Sequence, residues 1–98
     1  MSLFQLSEKH FDIVKDILRQ FELNECTFIF GSRAKGTAEK FSDLDICLKK
    51  KIEKTEFRKI VDAFEDSDLP IKVDVILWDE IDDNFKNHII KDMVLFKR

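Results

Sequence analysis

The chain has 98 residues, with 17 basic and 20 acidic side chains for a net charge of -3, and 44% hydrophobic content that includes ten phenylalanines. That length suits one hydrophobic core, so a single domain over residues 1–98 is expected, and roughly 60 to 70% of the unfolded surface can be buried without metal or disulfide staples. The acidic balance argues against direct binding to nucleic-acid phosphates, and no apolar run approaches the eighteen or so residues of a membrane span. The N-terminus carries neither a basic n-region nor a long apolar h-region, so a cytoplasmic location is expected. Cys26 and Cys47 lack the close spacing of a zinc or redox pair and read as small buried hydrophobes.

In chain order, Phe11, Val14, Ile17, Leu18 and Phe21 fall on one helical face between Ser7 and Glu22, which predicts an amphipathic helix with Ser7 as its N-cap. Cys26-Thr27-Phe28-Ile29-Phe30 is a β-prone run stopped by Gly31, after which Ser32 is expected to cap a short helix. Leu44 to Leu48 predicts a strand with Leu44, Ile46 and Leu48 on one face and Asp45 and Cys47 on the other, Asp43 sharing that second parity. Thr55 opens a second amphipathic helix through Phe57, Ile60, Val61 and Phe64, ended by Asp66-Ser67-Asp68 and Pro70. A strand over Ile71 to Leu77, a helix from about Asp79 to Lys91 and a terminal strand at Met93 to Phe96 complete the pattern. The fold class this implies is α+β, a small mixed β-sheet with helices packed mainly on one face and the other face free for a site.

Three features carry chemistry. Gly31-Ser32-Arg33-Ala34-Lys35-Gly36 places a backbone-permissive glycine and a hydroxyl at a helix start, an arrangement suited to an anion, although Gly-Ser turns are common as plain connections. After the ten residues from Arg33 to Ser42, Asp43-Leu44-Asp45 puts two carboxylates on one side of a strand, where they repel unless a cation lies between them. Such hard oxygen ligands suit Mg²⁺, which prefers one or two carboxylates plus phosphates and water. The third feature is Asp74, set in the apolar run Ile71-Lys72-Val73-Asp74-Val75-Ile76-Leu77, where an unpaired charge is costly. Pairing with Lys72 or a nearby Arg, or simple exposure on a solvated sheet face, is the structural alternative for Asp74.

Other signals are weaker. Gly31 to Gly36 has the glycine spacing of a P-loop, but Thr37-Ala38 follows where a lysine and a hydroxyl residue are required. A calcium loop starting at Asp43 would need glycine where Leu48 stands. His10 and His88 sit on separate helices without neighbouring ligands and are left outside the site, Lys49-Lys50-Lys51 reads as a solvated strand end, and half-buried packing is the commoner fate of Trp78.

With Gly31-Ser32, ten residues, Asp43-Leu44-Asp45 and a later Asp74, the sequence resembles the minimal nucleotidyltransferases of the polymerase-beta superfamily, over nearly the whole chain. Lys35 stands where many relatives have arginine. The resemblance implies that Asp43, Asp45 and Asp74 are the catalytic and metal-binding residues, with Asp43 and Asp45 chelating Mg²⁺ on ATP. Asp74 would help hold a second Mg²⁺ during turnover or take the proton of the attacking hydroxyl. Gly31, Ser32, Arg33 and Lys35 would bind the nucleotide. It further implies a partner, an all-helical HEPN ribonuclease toxin forming a hetero-oligomer with this antitoxin, which is silenced by AMP transfer from ATP to a hydroxyl, a tyrosine being the expected acceptor. A non-catalytic antitoxin acting by binding, or the catalytic subunit of a two-component antibiotic nucleotidyltransferase, are the alternatives.

Overall fold

Strict alternation of side chains along one strand divides this molecule into a packing face and a chemical face. The computed structural model describes residues 3–97, and within them a left-handed turn at Leu3–Gln5 leads into α1 (Glu8–Gln20). Then follow β1 (Thr27–Phe30), α2 (Ser32–Lys35), β2 (Leu44–Leu48), α3 (Lys54–Glu65), β3 (Val73–Leu77), α4 (Asp83–Ile89) and β4 (Val94–Leu95). The sheet order is β3-β2-β1-β4, with β1 antiparallel to both neighbours and β2 parallel to β3. A parallel pair cannot be joined by a hairpin, and α3 supplies the crossover between β2 and β3. The result is the mixed α+β sheet expected from the sequence.

The first helix begins where its cap chemistry places it. Ser7 is the N-cap, its hydroxyl accepting the His10 N–H at 3.1 Å, and Phe11, Val14, Ile17 and Leu18 form the buried stripe. The helix stops at Gln20, two residues short of the expected end, because Glu22 turns left-handed at φ 58° and the Leu23 N–H returns to the Leu18 carbonyl at 2.9 Å. Thr27 is fully buried, and its hydroxyl donates to the Leu23 carbonyl at 2.6 Å, which fixes the entry into β1.

On the packing face, Val14 and Leu18 of α1 and Ile60 of α3 meet Ile29, Leu44, Ile46 and Leu48 of the sheet, all at 0% exposure. Each such aliphatic side chain contributes roughly 1.5–3 kcal/mol by leaving water. The opposite face is not wholly free. Phe30 and Cys47 pack there against Ile89 of α4, with Phe28, Ile76, Trp78, Ile81 and Met93 around them. Cys47 is a buried free thiol whose pKa burial pushes up to about 11, and Cys26 is a half-buried free thiol also raised by burial, which fits the reading of both as small hydrophobes.

Two of the boundaries that differ from expectation do so for local reasons. Gly31, not Ser32, is the N-cap of α2, so the serine is the first helical residue. The last helix does not run from Asp79, because Trp78–Glu80 forms a separate 3-10 turn and Asp82 caps α4 by accepting the Phe85 N–H at 2.8 Å. Trp78 is half-buried between the ammonium groups of Lys49 and Lys86, at 4.9 and 5.3 Å from its ring, so packing is its role and Lys49 is partly engaged by it. No helix among the described residues is long and apolar enough to cross a membrane.

Candidate active site

The register of three strands assembles the site. Asp45, the second residue of β2, pairs with Phe30 on β1 and with Asp74 on β3. Because β2 and β3 run parallel and in register, two carboxylates lie side by side on the face that α4 only partly covers. Asp43 stands exposed immediately before β2. The Asp45 carboxyl is pushed above its ordinary pKa, first by burial and then by the negative charges of Asp74 and Asp43, with Lys72 opposing. Asp74 and Asp43 therefore both act electrostatically on Asp45.

Gly31 is fixed here by two independent requirements. Its φ of 75° lies in the left-handed region, and a Cβ at this position would collide with Asp45 Oδ2 and lie 3.3 Å from its Cγ. The turn that ends β1 thus brings bare backbone against the central carboxylate. Ser32 follows at half-exposure in the first turn of α2.

A hard cation fits this donor set. A carboxylate crowded by two others gains from a positive charge between them, and Mg²⁺ takes one or two carboxylates and completes its octahedron with phosphate oxygens and water. Among the described residues no group of three His, Cys, Asp or Glu side chains is placed to hold a metal ion by itself. Asp74 Oδ1 does lie 3.5 Å from Lys72 Nζ, one structural alternative weighed for it. Both side chains are well exposed, so such a pair is worth about 0–1 kcal/mol, and exposure on the sheet face, the other structural alternative, also describes Asp74.

The structure reassigns Arg33. Expected at the nucleotide, it is instead 3% exposed, and its guanidinium donates to backbone carbonyls only. Nε and Nη2 reach Ser42 O at 3.2 and 2.9 Å, Nη2 reaches Lys40 O at 3.4 Å, and Nη1 reaches Phe4 O and Gln5 O at 3.3 and 2.9 Å. With its donors so occupied Arg33 cannot grip a phosphate; burial also lowers its pKa. Lys35 is exposed and forms an ion pair with Asp92 Oδ2 at 3.5 Å, a contact that an incoming polyphosphate can outcompete.

Beside Gly31 and Lys35 lies a cleft of about 180 Å³, completed by Phe30 and by Phe85, His88, Ile89 and Asp92. His88, set aside from sequence, therefore faces the neighbourhood of the site. Its i, i+3 spacing from Phe85 and i, i+4 spacing to Asp92 was the available signal. A larger cleft of about 460 Å³ lies away from the chemistry, lined by Phe11, Lys15, Asn24, Glu25, Leu95, Phe96 and Lys97, and contains none of the aspartates.

A glycine turn thus presses on one carboxylate of the mixed sheet, with a second carboxylate in register and a third at the strand entry. Residues 12–98 match the family described as Polymerase beta, Nucleotidyltransferase, and the chain belongs to that family. It is 36% identical over 87 residues to the probable protein adenylyltransferase MntA of Haemophilus influenzae, covering 87% of this chain and 76% of that protein. It also superimposes with a TM-score of 0.53 on a crystal structure from Sulfolobus solfataricus assigned as a nucleotidyltransferase, at 30% identity, covering 90% of this chain and 76% of the other.

Proposed function

We propose that this chain is a Mg²⁺-dependent protein adenylyltransferase that moves AMP from ATP to a tyrosine hydroxyl of an all-helical HEPN ribonuclease and thereby acts as its antitoxin. The observation that carries the reading is the alignment of Asp45 with Asp74 beneath a glycine turn that leaves no room for a side chain. The description of the Haemophilus relative as an adenylyltransferase of proteins supports a macromolecular acceptor.

In this mechanism Asp43 and Asp45 would hold Mg²⁺, and Asp74 would serve either a second ion or the proton of the acceptor hydroxyl. Bound there, the cation supplies charge neutralisation for the triphosphate and for the attacking oxygen. The chain's own residues do the rest. In the latter role Asp74 accepts the proton of the acceptor hydroxyl as that oxygen attacks the α-phosphorus in line, and pyrophosphate leaves. Gly31 admits the polyphosphate close to the backbone, the Ser32 hydroxyl donates to it, and Lys35 exchanges Asp92 for phosphate oxygens.

The test is the intact mass of the natural partner after incubation with this protein, ATP and Mg²⁺, beside an Asp43→Asn control. The expected result is a gain of whole AMP units that the control abolishes. A tight complex with unchanged mass would replace catalysis with steric inhibition, and a helical partner without ribonuclease activity would favour a two-component small-molecule enzyme.

A further inference from the structure

The turn at Leu3–Gln5 precedes the segment matched to the family, which begins at residue 12. It is nonetheless wired to the site. The Gln5 side chain makes a paired contact with the backbone of Ala38, Nε2 donating to the Ala38 carbonyl at 2.9 Å and Oε1 accepting the Ala38 N–H at 2.8 Å. The carbonyls of Phe4 and Gln5 accept from Arg33 Nη1, while the other side of the same guanidinium holds the Lys40 and Ser42 carbonyls. Ser42 is the residue before Asp43.

This arrangement carries a conformational cost. Phe4 and Gln5 have φ of 56° and 55°, the left-handed region that side chains other than glycine seldom occupy. Backbone held there persists only where its surroundings over-determine it. They do so here. Leu6 is 2% exposed in the main core, and the Phe4 ring stacks on Phe96 at 5.6 Å, with Phe96 in turn on Phe11 at 4.5 Å. The turn is thus anchored in the core on one side and bonded to the loop between Gly36 and Asp43 on the other. That loop has little support of its own, since Thr37, Glu39, Lys40 and Phe41 are exposed and the backbone bond from Ser42 N to Glu39 O at 3.1 Å closes only a local turn.

We propose that Gln5, acting with Arg33, is a positioning residue: the N-terminal turn braces the loop that delivers Asp43, and so sets the distance between the Gly31-Ser32 cradle and the first metal-binding carboxylate. One end of Arg33 is covalently part of α2, directly after the cradle, so a single side chain ties cradle, loop and N-terminus into one unit. The assignment of Asp43 as a Mg²⁺ ligand rests on the function proposed above; the bracing of the loop does not.

Gln5→Ala separates the two. Gln5 and Ala38 lie at the surface, so the variant keeps the core intact, whereas Arg33→Ala buries unpaired carbonyls. In the full chain, backbone amide exchange at residues 37–43 and the affinity for Mg²⁺ with an ATP analogue carrying a methylene bridge between the α- and β-phosphates are measured for wild type, Gln5→Ala and Gln5→Glu. Loss of two hydrogen bonds of ordinary strength predicts about five- to thirty-fold faster exchange at Ala38 and its neighbours, and a similar loss of Mg²⁺-nucleotide affinity, with a fall in thermal midpoint no larger than that lost stability entails. Gln5→Glu keeps the acceptor for the Ala38 N–H and falls between the two.

Unchanged exchange in Gln5→Ala overturns the brace. Faster exchange with undiminished Mg²⁺-nucleotide affinity overturns its role in positioning Asp43. If wild type binds no Mg²⁺-nucleotide, the functional reading fails and with it the positioning of a metal ligand, and the exchange data alone then decide whether the turn orders the loop.

Discussion

The two faces of the sheet are written by the same strands and do opposite things. Along β2, Leu44, Ile46 and Leu48 turn toward α1 and α3 and lose all contact with water, while Asp45, between them, turns the other way beside Asp74 and Gly31. The packing face gains stability from every side chain it hides. The chemical face gives some of it up, since a half-buried carboxylate is held beside two others. A two-residue period therefore lets one short strand serve stability and chemistry without compromise at any single position.

That contrast can be broken most severely from the chemical face. Asp45→Asn is expected to abolish nucleotidyl transfer, a loss of several orders of magnitude, while the protein stays folded by circular dichroism. Next in size is Ile46→Ala, one residue away on the packing face, which should cost about 2–5 kcal/mol in urea unfolding yet leave the folded fraction active. Gly31→Ala blurs the two faces, because the added Cβ meets Asp45 at a φ that alanine resists. A loss of about 1–3 kcal/mol together with most of the activity is expected, read by the same two assays.

A smaller effect sharpens the comparison through pH. The folded-state pKa of Asp45 is raised, so its contribution to stability is fully present below the ordinary carboxylate range and is lost as pH rises through the folded value. Without Mg²⁺, Asp45→Asn should therefore melt higher than wild type at pH 7, and the gap should close as pH falls toward about 4. Smallest of all is Asp92→Asn, which releases Lys35 and should tighten ATP binding by no more than a few-fold, measured by calorimetry.

Much of this was legible in the sequence, and the exceptions share a cause. The bounds of β2 follow from alternation alone, and α1 begins at the residue its serine cap dictates. Asp74 stood out because an aspartate inside an apolar run needs a partner, although its register with Asp45 depended on knowing that β2 and β3 are parallel neighbours. Arg33 was misread because its ligands are backbone carbonyls as far as 29 residues away, which no local pattern encodes. Gln5 was invisible for the same reason. The start of α4 was misplaced because Asp79, Asp82 and Asp83 all offer capping chemistry and only tertiary packing of Trp78 chooses among them.

The most direct measurement of the central claim follows the label from ATP into the partner protein, using ATP marked at the α-phosphate in one reaction and at the γ-phosphate in another. The account predicts that the partner acquires the α-label only, with wild type and not with Asp45→Asn. Transfer of the γ-label, or equal α-labelling by the Asp45→Asn variant, would contradict it.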